Sequence, residues 1–516
     1  MIAAILGSSM VFLDGTVVNL ALPRIGEELP ATLVSTLEGQ TYAVSGYLAI
    51  LAALLVLAGA LADYYGRRRV FAIGLAGFGA MSVLCGLAPT LELLVAFRIL
   101  QGAAGALLVP GSLAILTAMF EGEARSWAFG VWASATSATT LLGPVVGGFL
   151  VDGVTWRAAF MLNVPLVIVA LYATLRYMPE TRDEDASGRF DWLGALVAVL
   201  AVGGLAFGTI RGQDRQWQDP LAWAALVIGT VALVAFPILM ARRPNPLVPL
   251  ALFRRRAFAT INLSTLVIYG ALYATFTFEY LYLQGVLGYT AIAAGIATLP
   301  TSLLLTVLST RVGVLAGRYG ARPFLWIGPL LMAAGLVWFA RIPATSEPWL
   351  LVASDPSTIV PPVSLVVDVL PYVLLFGVGI SLVVAPLTST LMSSVPVRNA
   401  GVASAINNAV SRIGQPILSA LIFVVVTGSF YASLAGAVPG VDPNDPALRA
   451  QVQPLNPPKE GTPDAVAGAA QVASTEAFHL AMLVCAGLLV VGAGANWIGL
   501  REPAGVSDGS ASADRR

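Results

Sequence analysis

Gly59 to Arg69, GALADYYGRRR, interrupts two apolar segments with one carboxylate, one glycine and three consecutive arginines. That is the composition of a short loop between two membrane helices. The same grammar returns from Gly313 to Arg322 as GVLAGRYGAR, and the copies superimpose without a gap: Gly59 on Gly313, Leu61 on Leu315, Ala62 on Ala316, Tyr65 on Tyr319, Gly66 on Gly320, Arg68 on Arg322. A loop that recurs once, far down the chain, predicts two related halves.

The whole composition agrees. With 57% hydrophobic and 11% charged residues and a mean hydropathy of +0.83, the chain lies far from the soluble mixture of roughly 25% charged residues. It reads as an integral membrane protein whose partner is the lipid bilayer. The formal charge is zero, with no basic excess for nucleic acid. Cys85 and Cys485 stand in apolar stretches and His479 is the lone histidine, so neither a disulfide nor a metal site is expected. There is no GxxxxGK[ST] loop, and Lys459 is the single lysine, so no nucleotide site or other cofactor is expected. The remaining driving force is an ion gradient, worth about 2.3 kcal/mol per charge per 100 mV.

Windows long enough to cross a hydrocarbon core of about 30 Å fall near 2–24, 43–62, 70–89, 92–117, 127–151 and 159–178, then 190–210 and 221–241, then 257–283, 291–316, 323–340, 368–394, 402–430 and 474–500, about fourteen spans in all. They divide into an N-terminal six-helix bundle (1–180), two inserted transmembrane helices with a cytoplasmic linker (181–256), a C-terminal six-helix bundle (257–500) and a disordered cytoplasmic tail (501–516). Met1 opens almost directly on the first apolar run, so a retained helix and not a cleaved signal peptide is expected, and a start further upstream stays open. An even count puts both termini in the cytoplasm. The arginines suit that topology: Arg67 to Arg69, Arg125, Arg176, Arg182, Arg189, Arg242, Arg243, Arg254 to Arg256, Arg311, Arg318, Arg322 and Arg398, with Arg501, Arg515 and Arg516 in the tail, then fall inside, against Arg24, Arg157, Arg211, Arg215, Arg341, Arg449 and Lys459 outside, as the positive-inside rule requires. Two long outer stretches, Ile342 to Val367 and Tyr431 to Ser474, carry the proline, glycine and aspartate of irregular solvated connectors, as plain linkers, as walls of an exit path or as a dock for a periplasmic partner.

Several motifs in order now support a resemblance. Leu13, Asp14, Thr16, Val17, Asn19, Ala21, Leu22 and Pro23 match LDxTxxNxALP; Gly59, Leu61, Asp63, Gly66, Arg67 and Arg68 match a loop signature; Arg98, Gln101, Gly102 and Gly105 form RxxQG; Gly143, Pro144, Gly147 and Gly148 form GPxxGG; Trp156, Arg157, Phe160, Asn163 and Pro165 follow. Nearly the whole chain resembles the major facilitator superfamily, in its fourteen-helix drug:proton antiporter branch. The resemblance implies an all-α membrane fold of two pseudo-symmetric six-helix bundles plus two inserted central helices, no enzymatic activity, and multidrug efflux across a bacterial plasma membrane. Two departures stand out: Tyr64 occupies the usual basic position after the loop aspartate, and Gly317 stands where Asp63 stands in the first copy. Any gating contact of the loop carboxylate is therefore expected on one side only.

Charge inside a span costs about 2.5 to 3.5 kcal/mol on insertion scales, which singles out Asp14, Arg98, Glu279 and Arg412. A buried carboxylate can hold a proton or a cation in turn, so Asp14 reads as the proton-coupling group and a cavity residue, or else as a structural cap or bridge between helices. Arg98, with Gln101 one turn on, would hold that carboxylate charged or relay its proton, or only bond helix ends. Glu279, a further proton-coupling and cavity candidate, sits beside a stripe of Tyr269, Tyr273, Phe276 and Tyr280; Tyr273 and Phe276 suit a lipophilic cation by cation–π attraction or serve plain packing, with Glu279 near enough the outer end to be partly solvated. Arg412, Asn407, Asn408 and Gln415 line the cavity or tie helices together. Gly143, Pro144, Gly147 and Gly148 predict a bend and a tight helix seam. The resemblance implies that Gly59, Asp63, Gly66, Arg67, Arg68 and Arg125 form the inner gate, clamping the neighbouring half when it is shut, while positive-inside topology alone would account for the arginines. The sum is a proton-coupled exporter of amphipathic, cationic compounds working by alternating access; a lipid or natural-product exporter of the same fold is the rival, and a membrane receptor or enzyme a distant third.

Overall fold

The structure is a computed structural model that describes residues 1–119, 122–182, 190–352, 355–395 and 400–500; the expected tail at 501–516 lies outside the described residues. The first half contains α1 (Ile2–Glu28), α2 (Thr36–Tyr65), α3 (Arg67–Gly86), α4 (Leu91–Ala106), α5 (Val109–Met119), α6 (Gly122–Gly153), α7 (Trp156–Met161) and α8 (Asn163–Tyr177). Then come α9 (Trp192–Asp214) and α10 (Pro220–Arg242), followed by α11 (Arg256–Gly285), α12 (Ala291–Tyr319), α13 (Arg322–Phe339), α14 (Leu370–Ser393), α15 (Ala400–Ala437), the short α16 (Pro446–Gln451) and α17 (Asp464–Gly499). Among the described residues eleven helical segments are long and apolar enough to cross a membrane. The paths along α2, α4–α5 and α6 complete the set read from hydropathy.

The repeated stretch does the same job twice. α2 ends at Tyr65 on Gly66 with φ +105°, and α12 ends at Tyr319 on Gly320 with φ +83°, a backbone region in which a Cβ is strained. Each glycine turns the chain straight into the next helix of its half. At the other end of α2, Ser35 and Glu38 form a reciprocal capping box, which satisfies two orphan N–H groups and starts the helix well before the hydropathy window opens.

The halves meet along α1 with α11, α2 with α15 and α6 with α12. α9 lies against both α2 and α15, and α10 packs on α9, with a brush against the linker before α11. The α9–α10 contact is close because Gly204 and Gly229 face each other; a Cβ on Gly204 would meet Gly229 Cα at 2.9 Å. Small residues permit that approach, which matters where lipid offers no hydrophobic drive to bring helices together.

The helices overrun the hydropathy windows, since windows count only the part in contact with hydrocarbon. α1 continues through Pro23 to Glu28, and α15 and α17 run to Ala437 and from Asp464. This corrects the expectation for Tyr431 to Ser474: in place of an irregular solvated loop, most of it is helical, and Val452 and Leu455 are fully buried. The stretch from Ile342 is likewise seated, with Trp349 and Leu351 each 7% exposed. Proline and glycine stop helices, but the apolar residues between them find a place on the bundle ends.

Candidate functional site

Asp14 lies mid-way along α1 and points into its own half. It is 2% exposed and Arg98, on α4, 1%. Arg98 Nη1 donates to Asp14 Oδ2 in a close ion pair. Gln101 Nε2 and Asn163 Nδ2 donate to the other oxygen at 3.2 and 3.3 Å. Both amides also donate to Ser82 Oγ on α3, at 3.0 and 2.9 Å, and that hydroxyl in turn donates to the Phe160 carbonyl at 3.1 Å. Arg98 is held as tightly: Nε donates to the Ala43 carbonyl at 3.1 Å, Nη1 to Gln101 Oε1 at 2.7 Å, and the guanidinium lies 4.0 Å above the Tyr47 ring. One charge pair thus ties α1, α2, α3, α4 and α8 together. Buried charges persist only when paired and hydrogen-bonded, and both oxygens of Asp14 are engaged.

The expectation that one carboxylate holds proton and cargo in turn meets a geometric obstacle in this conformation: no face of Asp14 is open. What α1 shows to the other half is a different stripe, Phe12, Gly15 and Asn19, spaced three and four residues apart. Phe12 lies 5.6 Å beneath the Arg412 guanidinium of α15. Gly15 faces open space, since a Cβ there would meet nothing within 4 Å. Asn19 Oδ1 accepts from Thr277 Oγ1 of α11 at 3.2 Å.

In the second half Glu279 is fully buried, which corrects the partly solvated position expected near a helix end. Tyr372 Oη donates to its Oε2 at 2.8 Å, whereas Oε1 has no partner among the described residues. Tyr372 is stacked on Phe339 at 4.3 Å between centroids, closing the pocket with aromatic faces. Tyr273 and Phe276 are half-buried; Phe276 meets Phe376 edge-on at 6.0 Å, one turn of α14 from Tyr372, and Tyr273 meets Tyr269 at 6.2 Å. Asn407 donates to Asn262 Oδ1 and Thr265 Oγ1 at 3.2 and 2.9 Å, a tie between α15 and α11. Gln415 donates to Ser419 at 3.0 Å, one turn along its own helix. Arg412 is 6% exposed and stands where Phe12 and Tyr47 of the first half approach.

The halves are sealed toward the face that carries residues 29–35 and 438–463. Gly143 sits against Thr16 and Gly147 against Val17, holding α6 on α1. Gly148 lies against the backbone of Ile292, and Gly295 against the Pro144 carbonyl, both across the α6–α12 seam. Asp152 Oδ2 accepts from the Ile292 N–H at 2.7 Å, capping α12 from the opposite half. Gln284 Nε2 donates to the Leu20 carbonyl at 3.1 Å.

At the arginine-rich face the loop after α2 is bound within its own half. The Arg67 N–H donates to the Thr181 carbonyl at 2.8 Å and the Arg68 N–H to Glu180 Oε1 at 3.0 Å, and Arg69 pairs with Glu180 Oε2 at 3.5 Å. Gly66 has Glu180 against its Cα, and Gly59 faces open space. The side chains of Asp63 and Arg125 lie outside the described residues. Sequence reading missed Ser82, Tyr47, Glu180, Asp152 and Thr277, because a single serine or threonine in an apolar helix, or a surface carboxylate, carries no periodic signal of its own.

Residues 4–419 match the family described as Major Facilitator Superfamily. Among curated proteins, the chain is 33% identical over 435 residues to the multidrug resistance protein Stp of Mycobacterium tuberculosis, covering 84% of this chain and 76% of that one. It is 31% identical over 426 residues to the tetracenomycin C resistance and export protein of Streptomyces glaucescens (83% and 75%), and 32% over 432 residues to the puromycin resistance protein of Streptomyces alboniger (83% and 81%). Among solved structures it resembles an auto-inhibited POT family peptide transporter, with TM-score 0.64 and 15% identity over 98% of both chains. A bacterial homologue of the lysosomal transporter Spinster, inward-facing and unoccupied, aligns with TM-score 0.59 and 15% identity over 96% and 95%; at such identity both show the fold alone. The chain belongs to the major facilitator superfamily: it is a multi-pass membrane transporter of small molecules related to drug-resistance efflux proteins, and not an enzyme.

Proposed function

We propose that this member of the major facilitator superfamily exports amphipathic small molecules, cations among them, in exchange for protons, by alternating access between its halves. The observation that carries the reading is the buried Asp14–Arg98 pair, set behind the α1 stripe that faces the other half. In the conformation seen, sealed at one face, the pair needs Asp14 charged. Protonation would strand Arg98 in a dry site, which costs about 3–5 kcal/mol when a buried partner is lost. The proton is therefore favoured in the opposite conformation, where water or a new partner can reach Arg98, and is released in this one. Coupling runs through α1: a change on its Asp14 side shifts Phe12, Gly15 and Asn19, which line the gap where cargo binds beside the half-buried Tyr273 and Phe276. Proton and cargo then compete through helix position and not for one carboxylate. Glu279, with one oxygen unpartnered among the described residues, is the second candidate for proton binding.

Arg412 supports a second reading. Among the described residues it has a ring contact with Phe12 and no ion pair, and a lone guanidinium at the gap suits neutral or anionic amphipaths, as a lipid or natural-product exporter would carry. The relatives named for tetracenomycin C and puromycin are in keeping with either cargo class. In vesicles with an imposed pH gradient, Asp14→Asn should abolish gradient-driven efflux of ethidium while the protein stays in the membrane; normal export by that variant overturns the proton assignment. Efflux of an anionic dye, lost in Arg412→Ala, with ethidium untouched in both proteins, would favour the second reading.

A further inference from the structure

Residues 438–463 leave the C-terminal half at α15 and return to it at α17, yet between these ends the chain crosses to the other half. Its base is rooted at home: the Val452 carbonyl accepts from Tyr431 Oη at 3.1 Å, the Leu455 N–H donates to Ser474 Oγ at 3.2 Å, and both apolar side chains are fully buried. Its tip, the side chains of Gln453 and Asn456, grips α2. The Leu37 N–H donates to Gln453 Oε1 at 3.2 Å. Gln40 Nε2 donates to Asn456 Oδ1 at 3.0 Å and Asn456 Nδ2 returns a bond to Gln40 Oε1 at 3.1 Å, a reciprocal amide pair. Gln40 is itself fully buried and fixed by a bond to the Leu22 carbonyl at 2.8 Å. Between the two gripping residues Leu455 is held at φ +58°, a region that a branched side chain rarely adopts and that surroundings must enforce.

We infer that this strap is the latch of the sealed face: it travels with the C-terminal half, and its tip releases Gln40 and Leu37 each time that face opens. The inference rests on the alternating-access reading. Uncharged amides suit the task, because breaking them exposes no buried ion and their grip does not vary with pH, so the latch sets how readily the face opens while the Asp14 pair sets when.

The test needs no cargo. A cysteine at Gly15→Cys reports from the gap beneath the latch, and the native Cys85 and Cys485 are both buried. In oriented membrane vesicles, a membrane-impermeant maleimide is added from the strap face. Asn456→Ala and Gln40→Ala should each raise the labelling rate by about fivefold, as loss of one reciprocal pair allows. Joining Gln40→Cys to Asn456→Cys as a disulfide with copper phenanthroline before labelling should suppress it, and reduction of that cross-link should restore it. Labelling that is unchanged in the alanine variants, or as fast after cross-linking, overturns the latch. Should labelling follow expectation in a protein that moves no ethidium, the latch stands and the export reading falls.

Discussion

Gly295 of α12 lies against the main-chain carbonyl of Pro144 of α6, across the seam between the two halves, with no room for a side chain between them. The proline removes the donor that the carbonyl of residue 140 would use; the carbonyl that meets α12 is Pro144's own, and the missing side chain of Gly295 lets the opposite helix come down onto it. Replacing Gly295 by valine forces backbone apart at this seam. The expected result is a protein that cannot seal this face: faster impermeant-maleimide labelling at a Gly15→Cys reporter and transport reduced at least tenfold, with normal membrane insertion on a blot.

The Asp14–Arg98 pair separates stability from coupling. Asp14→Ala leaves a buried guanidinium without its counter-charge and should lower the unfolding stability in detergent by about 3–5 kcal/mol. Adding Arg98→Gln to Asp14→Asn removes both charges while keeping donors for Gln101 and Ala43, so most of that loss should return without recovery of proton-driven efflux. A thermal-unfolding series on the four proteins, beside vesicle transport, checks both halves of the statement.

Glu279→Gln keeps an acceptor for Tyr372 Oη and should change stability by less than about 1 kcal/mol. If Glu279 takes part in coupling, the number of protons exchanged per cargo falls in this variant. Reversal potentials measured against imposed pH gradients read that ratio, and an unchanged value removes Glu279 from the proton path.

Glu180 is the anchor of the arginine loop, bonded to the Arg68 N–H and paired with Arg69. Its side chain is 32% exposed and that of Arg69 77%, so the ion pair itself contributes little, within about 1 kcal/mol. The larger effect of Glu180→Ala should be local. Limited trypsin digestion of vesicles with this face outward should cut after Arg67, Arg68 or Arg69 several times faster than in the parent, with Tm nearly unmoved.

Much of this architecture is legible in the order of residues. Membrane insertion follows from composition, the two-fold repeat from Gly59–Arg69 and Gly313–Arg322, and the approximate spans from hydropathy, because lipid contact is an average over about twenty residues and averages survive without three-dimensional knowledge. The same holds for Asp14 and Arg98, since an ionised group in an apolar run declares itself by cost alone.

Which way those groups point was decided by packing. Nothing in the run around Asp14 says that its carboxylate turns inward to Arg98, Gln101 and Asn163 while Phe12, Gly15 and Asn19 face the other half; that depends on how α1 is rotated against the helices packed around it. The grip of Asn456 on Gln40 joins residues 416 positions apart through side chains that in sequence look like those of any polar loop. Hydrophobic patterning settles which segments cross the membrane, since it acts on each segment separately. Directional bonds between segments exist only once the helices are assembled, and they decide what the transporter can hold, seal and release.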